Sequence, residues 1–360
     1  MTTFTDALAE HDHRAVIGHL SEFERLRALL DALPGIVVLA ADPLSGASGV
    51  VRAALAVSPH PAVYADARGA QDATDLAICI ADAAIAALRP EANGWWRGTA
   101  PTGDPAGARL RRAVVDADDL RTATGSGERL LRIALGLTAT LAPEPVVIAI
   151  DHLDAAVAAA PDPLGTLRAT AQEDAGLNLL LVGRTDGPVA AALHDPGHPL
   201  YRGGQLRRAP ASRFVDDLDV APAVHAPPEV IAVAADLASG VPAHVWSSVD
   251  LAAGRPEMRA SDRALAGWQA LQRVAAAASA RQFDVLRAVH PIAQQVLAAM
   301  AAGRGPYTLA FNDGRIRAAL AALQQVGVVW QPGRRDWAIA DPLLAAWAGE
   351  HAHAALRRRD

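Results

Sequence analysis

One stretch, between Ile36 and Arg52, constrains the fold more than any other part of the chain. Residues 36–41 are all apolar, which is typical of a strand buried on both faces of a parallel sheet. Residues 42–48 are mostly small and include proline and glycine, and a helix is expected after them. The stretch predicts a buried strand that passes through a tight loop into a helix, and therefore an α/β fold.

The loop matches half of the phosphate-binding template G-x-x-x-x-G-K-[ST]. Gly46 and Ser48 fit it, whereas Ala41 replaces the first glycine and Ala47 replaces the lysine. That lysine neutralises charge on the β- and γ-phosphates of a nucleotide, and all 33 Lys and Arg residues of this chain are arginines. The loop is therefore either a phosphate-binding loop that has lost its cation or a plain strand-to-helix turn, and the loop alone favours the turn.

Further strands are predicted after this loop. They cover 62–66, 146–151 and 177–184, with helices expected at 72–88 and 128–141. Four strands that alternate with helices indicate a doubly wound parallel sheet. Asp151 and Arg184 each end a strand, at the edge where ligands of open α/β sheets bind.

The predicted first helix lies before the loop. Ser21, with Glu24 three residues later, predicts a capping box at its start. Apolar residues at Phe23, Leu26 and Leu29–Leu30 predict one buried face.

Residues 90–127 interrupt the alternation of strands and helices. The segment is rich in Pro, Gly, Asp and Thr, and it contains Trp95-Trp96 and the basic tract 109–112. It predicts a mobile surface loop outside the sheet; the alternative is a lid or a partner-binding element.

After Tyr201 the pattern becomes helical. Helices are predicted at 227–237, 242–251, 263–280, 283–289, 292–302 and 314–326, followed by a hairpin over 328–339. Helices followed by one hairpin are the elements of a winged helix-turn-helix. We therefore divide the chain into an α/β domain at 14–205, a helical lid at 206–262 and a winged-helix domain at 263–360.

The winged-helix segment carries a predicted contact surface. Residues 263–360 contain 12 arginines and 6 acidic residues, an asymmetry that favours nucleic acid as a partner. Ile316, Leu320, Leu323 and Val326 share one helix face and should be buried. The candidate contact residues are Arg315, Arg317, Gln324 and Gln325 on the helix, with Arg334 and Arg335 at the tip of the wing. The alternative partner for this surface is a protein.

Several motifs together resemble the STAND and archaeal-type branch of the AAA+ P-loop ATPases. Val16-Ile17-Gly18-His19, with Glu22 and Leu26, is similar to that group's N-terminal nucleotide box, with His19 in place of arginine. Residues 41–48 resemble a degraded Walker A loop, and residues 148–151 resemble Walker B. The resemblance spans roughly residues 14–350, and the order and spacing of its motifs are more specific than any one of them.

The remaining motifs follow in the family's order. Gly183-Arg184 resembles the sensor strand, and Gly240-Val241-Pro242 is similar to the turn that packs on adenine. Residues 339–347 are similar to the Asp-Pro-Leu-x-x-x-Trp ending of the family's winged helix. The resemblance implies a nucleotide site formed by Gly18, His19, Gly46, Ala47, Ser48, Asp151, Arg184 and Pro242, with Ser48 and Asp151 as ligands of magnesium.

The sequence departs from the family pattern at the positions of the residues that carry out hydrolysis. Ala47 stands at the lysine position, and His152 stands where a glutamate would polarise the attacking water. The sequence therefore predicts a non-hydrolysing regulatory or scaffold module that binds ATP or ADP with magnesium weakly or not at all. Two alternatives stay open: a slow ATPase in which Arg52 or Arg184 replaces the lysine, and a pure protein-interaction platform.

The amino-acid composition excludes several classes of protein. The single cysteine, Cys79, excludes a disulfide framework and a cysteine-based zinc site. No signal peptide is visible, and no apolar stretch reaches the length of about 18 residues that a membrane span needs. The expectation is a cytoplasmic protein that does not enter the membrane and has a protein partner or forms a homo-oligomer.

Overall fold

The computed structural model describes residues 14–32, 35–88, 126–142, 144–158, 162–201, 203–209, 226–333 and 336–357. They fall into two units. The first unit contains the described residues of 1–16, 20–42 and 47–210, and the second contains those of 17–19, 43–46 and 211–360. Trp95, Trp96, the tract 109–112, Arg334 and Arg335 lie outside the described residues, so the predictions made for them stay predictions.

A parallel sheet of five strands forms the centre of the first unit. Its strands are β1 (Ile36–Ala41), β2 (Ala62–Asp66), β3 (Val146–Asp151), β4 (Leu177–Arg184) and β5 (Gln205–Ala209), in the order β2-β3-β4-β1-β5. All four strand pairings are parallel. The predicted doubly wound α/β sheet is thereby confirmed.

Strand β5 was missed, because the sequence after Tyr201 was predicted to be helical. The segment Gln205–Ala209 pairs with β1 in parallel, with Val37 opposite Gln205. It is an edge strand that contains two consecutive arginines, so it lacks the apolar run of a central strand. Hydrogen bonding to β1, which no local pattern reveals, defines it.

Helices cover both faces of the sheet. They are α1 (Leu20–Ala32), α2 (Ala47–Ala56), α3 (Ala73–Leu88), α4 (Gly127–Leu141), α5 (Asp154–Ala158), α6 (Leu164–Glu173) and α7 (Pro188–Ala192). Successive side chains of β1 alternate between two hydrophobic clusters: Val38 packs with α3 and α4, whereas Val37 and Leu39 pack with α1 and α2. This alternation explains why β1 is apolar throughout.

The start of α1 differs from the prediction. The helix begins at Leu20, one residue before the predicted cap, so Ser21 lies within its first turn. The Ser21 hydroxyl donates to the Glu22 carboxylate at 2.8 Å and does not cap the helix. The predicted capping box is therefore wrong, although Phe23, Leu26 and Leu30 are buried as expected.

Three helices come first in the C-terminal part of the second unit: α8 (Pro228–Leu237), α9 (Pro242–Ala252) and α10 (Ala260–Val289). Trp246 of α9 and Trp268 of α10 belong to their shared hydrophobic cluster. Two helices had been predicted at 263–280 and 283–289, but α10 is continuous over 30 residues. No proline or glycine separates the two segments, and Phe283 is held in a second hydrophobic cluster, so nothing interrupts the helix.

The second cluster belongs to the winged helix-turn-helix. Its elements are α11 (Ala293–Ala301), α12 (Asp313–Gln325), β6 (Val329–Gly333), β7 (Asp336–Ile339) and α13 (Pro342–Arg357). Ile316, Leu320 and Leu323 of α12 are completely buried, as predicted. Val326 is 52% exposed, which contradicts its predicted burial; the helix ends at Gln325, so Val326 no longer follows the helical period. Across the described ranges, no helix is long and apolar enough to span a membrane.

Candidate functional site

Two residues predicted to hold phosphate or magnesium, Asp151 and Arg184, lie at strand ends of the first unit. Ala41, the last residue of β1, lies opposite Arg184 at the end of β4. The Thr185 N–H donates to the Ala41 carbonyl at 3.0 Å, and the Thr185 hydroxyl donates to the Asp42 carboxylate. These bonds fix the point at which the chain leaves β1 for the loop.

Asp151 is the most enclosed carboxylate of this edge, with 2% of its surface exposed. Its Oδ2 atom accepts the Tyr64 hydroxyl at 2.6 Å, and its Oδ1 atom accepts the His152 N–H at 2.8 Å. Burial, followed by the hydrogen bond to Asp151, raises the pKa of Tyr64 far above its usual value.

His152 directly follows Asp151, where the resemblance described above implies a glutamate. It takes a left-handed conformation, with φ of +58°, directly after β3. Its Nδ1 atom lies 3.2 Å from Asp66 Oδ1, and its Nε2 atom lies 3.3 Å from the Arg68 guanidinium. Both ring nitrogens therefore face charged groups at the end of β2.

Arg184, the predicted phosphate contact, forms a local ion pair. Its guanidinium donates to the two carboxylate oxygens of Asp186, both at 2.9 Å. Its backbone N–H donates to Asp154 Oδ2 at 2.6 Å. Burial raises the pKa of Asp154 despite this bond and the one from the Val189 N–H. The side chain of Arg52 lies elsewhere, over the Tyr64 ring at 5.3 Å from its centroid.

Four of the other predicted nucleotide residues belong to the second unit. His19 is 1% exposed, and its Nε2 atom donates to the Ser45 carbonyl. Gly46 has φ of +87°, and a Cβ atom there would lie 2.8 Å from Pro242 Cγ. Gly18, with φ of +92°, turns the chain immediately before His19. His19, Gly46 and Pro242 are therefore neighbours within this unit.

The remaining loop residues follow in the first unit. Ala47, at the lysine position, is buried in the cluster of α1 and α2, and Ser48 is half-buried. Ser48 lies at the start of α2, and the hydroxyl that bonds to Asp151 is that of Tyr64. Tyr64 was missed because its role depends on β2 pairing with β3; the one available signal was a single phenol in the strand Ala62–Asp66.

The Asp151 carboxylate is not freely presented to a metal ion. Each of its oxygens accepts a hydrogen bond, one from the Tyr64 hydroxyl and one from the His152 N–H. Magnesium requires oxygen ligands at about 2.0–2.1 Å in near-octahedral geometry. Among the residues that the structure describes, no cluster of three or more His, Cys, Asp or Glu side chains could hold a metal ion.

The predicted contact residues lie on α12. Arg315, Arg317 and Gln325 are exposed, and Gln324 is half-buried. Asn312 caps the helix by accepting the Arg315 N–H at 2.8 Å, and the Arg315 guanidinium lies 5.1 Å from the Phe311 ring centroid. Arg317 donates to the Asp313 carbonyl at 3.3 Å. Two arginines are thus presented near the helix N-terminus, the part of a recognition helix that enters a DNA groove.

The parallel sheet with its loop between β1 and α2, the helical lid and the winged helix together define an AAA+ ATPase fold. The Walker-type ATPase of Pyrococcus abyssi superposes with a TM-score of 0.64 at 16% identity, over 91% of this chain and 94% of that chain. The ORC1 protein of Aeropyrum pernix, solved in complex with DNA, superposes with a TM-score of 0.50 at 14% identity, over 99% and 97%. No protein-family model matches the sequence, and no curated protein matches it.

Proposed function

We propose that this protein is a non-hydrolysing AAA+-fold module of the STAND-like type that contacts DNA through its winged helix. The observation that carries the proposal is the state of Asp151: both carboxylate oxygens are engaged by Tyr64 and by the His152 N–H. The carboxylate at this position would have to orient magnesium in an active ATPase.

The neighbouring positions support the same conclusion. Ala47 supplies no cation, and the guanidinium of Arg184 is paired with Asp186. His152 has its ring nitrogens directed at Asp66 and Arg68. Hydrolysis requires charge stabilisation in the transition state and an oriented water, so losing both lowers the rate by several orders of magnitude.

Nucleotide binding is less demanding than hydrolysis. Backbone N–H groups at the start of α2, a helix of 10 residues, attract phosphate without any side chain. We therefore infer that ATP or ADP binds weakly or not at all, and that any bound form is not turned over.

The proposed DNA contact rests on α12. Its exposed arginines, Arg315 and Arg317, lie on a segment whose arginines outnumber its acidic residues, and the ORC1 protein of the same fold was solved with DNA. Arginine side chains at these positions can reach phosphates and base edges. A protein partner is the alternative for the same surface.

A phosphate-release assay and a fluorescence-anisotropy titration test the two halves of the proposal. We expect no ATP turnover above the rate of an Asp151→Asn control, and binding of duplex DNA that weakens as salt is added. The Arg315→Glu/Arg317→Glu variant should lose this binding, whereas Arg255→Glu, an exposed arginine after α9, should retain it. No DNA binding at about 50 mM salt would leave a protein as the partner.

A slow ATPase is the second candidate, and the position of Arg52 favours it. The guanidinium lies over the ring of Tyr64, whose hydroxyl contacts Asp151, and could supply the missing positive charge. Turnover that both Arg52→Ala and Asp151→Asn abolish would establish this alternative and contradict the non-hydrolysing proposal.

A further inference from the structure

Tyr64 makes a contact that the sequence did not predict: its hydroxyl donates to the buried Asp151 carboxylate at 2.6 Å. In an active ATPase the carboxylate at this position orients magnesium. We propose that the Tyr64 hydroxyl takes the place of a divalent cation at Asp151, and that Tyr64 is the residue that excludes such cations from this carboxylate. The inference deepens the proposed function, because it names the group that keeps the site from magnesium.

The position of Tyr64 follows from the sheet. Tyr64 pairs with Ala149, two residues before Asp151, so its side chain reaches along β3 toward the strand end. The ring is half-buried beside the cluster of α1 and α2, and Arg52 of α2 lies over it at 5.3 Å. Backbone pairing and packing therefore hold the hydroxyl at Asp151 without any ion.

The Tyr64 hydroxyl occupies one oxygen of the carboxylate. It donates to Asp151 Oδ2 at 2.6 Å. An O–H···O⁻ bond of this length is among the strong hydrogen bonds of proteins. A cation bound on this side of Oδ2 would have to displace the phenol and break that bond.

The second oxygen of Asp151 also accepts a hydrogen bond. Oδ1 accepts the His152 N–H at 2.8 Å, and His152 adopts φ of +58°. A left-handed backbone conformation costs free energy for a residue other than glycine. The chain adopts it at the residue whose N–H contacts the carboxylate. Two neutral donors thus stabilise a buried carboxylate, the task that a cation performs in an active site of this fold.

Titration with Mn²⁺, followed by electron paramagnetic resonance, tests the inference on the full chain. We expect the wild type to take up no Mn²⁺ at this site. Tyr64→Ala removes the ring and Tyr64→Phe removes only the hydroxyl; at least one of them should bind one Mn²⁺ per chain. Adding Asp151→Asn to that variant should abolish the uptake. Tyr307→Phe, which changes an exposed tyrosine of the second unit, should behave as the wild type.

The outcomes separate this inference from the proposed function. Wild-type uptake of Mn²⁺ that Asp151→Asn removes would overturn the role of Tyr64 even if no ATP is hydrolysed. No uptake by Tyr64→Phe and Tyr64→Ala, with native circular dichroism in at least one of them, would overturn it as well. Steady ATP turnover by a wild type that takes up no Mn²⁺ would refute the proposed function and leave Tyr64 as the excluding group. Failure of both variants to fold leaves the wild-type titration as the deciding measurement.

Discussion

At the scale of single residues, Gly46 is the loop position that tolerates substitution least. Its φ is +87°, and a Cβ atom added to it would lie only 2.8 Å from Pro242 Cγ. We expect Gly46→Ala to lower the free energy of unfolding by about 2 kcal/mol or more, because left-handed alanine is strained and the proline must move. Chemical denaturation measures this loss.

Gly35 provides the matched control for this prediction. It has nearly the same φ, +85°, but a Cβ there would meet nothing within 4 Å. Gly35→Ala should therefore show the backbone cost alone, roughly 1 kcal/mol. Equal losses for the two variants would contradict a role for the contact with Pro242.

Tyr64 should make the stability of the protein depend on alkaline pH. Its folded-state pKa lies above the usual 10.0, chiefly through burial, so the folded state holds the phenol proton more tightly than the unfolded chain. The resulting stabilisation is complete below pH 10.0 and decreases as the pH rises above it. The difference in unfolding free energy between wild type and Tyr64→Phe should shrink over that range in urea titrations.

Near neutral pH the wild type and Tyr64→Phe should differ by about 1–3 kcal/mol, because a phenylalanine side chain would leave the buried carboxylate of Asp151 short of a donor. A difference that does not change with alkaline pH would show that Tyr64 ionises alike in the folded and unfolded states.

Residue-level prediction was limited to positions. Asp151 was expected at the carboxyl end of a strand, and it is the last residue of β3. A magnesium site shared by Ser48 and Asp151, which the resemblance implies, stays a prediction. The pairing of Arg184 with Asp186 was not foreseen, because any polar residue in the turn after β4 could have taken that role. Motif spacing identifies positions, whereas hydrogen-bond partners depend on side-chain packing that the pattern does not contain.

At the scale of elements, helices α9 and α10 approach each other closely at Gly267. A Cβ atom there would lie 2.2 Å from the backbone oxygen of Ser248 and 3.0 Å from Ala252 Cβ. Because a backbone carbonyl cannot rotate away, Gly267→Ala should force the helices apart and cost about 3 kcal/mol or more. Thermal unfolding monitored by circular dichroism measures the effect.

Gly136 of α4 serves as the control for a glycine inside a helix. It is exposed, and a Cβ there would meet nothing within 4 Å. Gly136→Ala should stabilise the protein by up to about 1 kcal/mol through helix propensity. If Gly267→Ala were equally harmless, the close contact between α9 and α10 would be refuted.

Helices and strands with a regular pattern of apolar residues were predictable from the sequence. Elements that depend on contacts with another element were not. Strand β3 is apolar up to its last residue, Asp151, and was recognised, whereas β5 has the sequence Gln-Leu-Arg-Arg-Ala and exists through its pairing with β1. The continuity of α10 was missed because its buried face serves one hydrophobic cluster at Trp268 and another at Phe283. In the sequence, the change from one hydrophobic cluster to the other looks like the boundary between two helices.

At the scale of the whole molecule, the lid and the winged helix belong to one unit. Helix α10 enters the cores of both, and His244 of α9 also contacts Asp341, just before α13, at 3.0 Å. The division at residue 262 between a lid and a winged-helix domain stays a prediction. Because α10 packs in both hydrophobic cores, the helices at 228–252 and the winged helix fall within one unit.

Interrupting α10 between its two cores should separate their unfolding. Ala277 is exposed and lies between Leu271 and Phe283, which belong to different clusters. Ala277→Pro should cost about 3 kcal/mol and split the calorimetric transition of this unit, because proline removes a helical hydrogen bond. Ala277→Gly should cost about 1 kcal/mol and keep one transition. A single transition in the proline variant would show that the two cores are coupled by other contacts.

The continuity of α10 also has a mechanical consequence. Its 30 residues, at about 1.5 Å of rise each, make a rod about 45 Å long. A tilt of about ten degrees at one end displaces the other end by roughly 8 Å, the product of that length and the sine of the angle. If α10 moves as one rigid rod, a small rotation at its Trp268 end therefore becomes a larger displacement at its Phe283 end, which belongs to the second hydrophobic cluster.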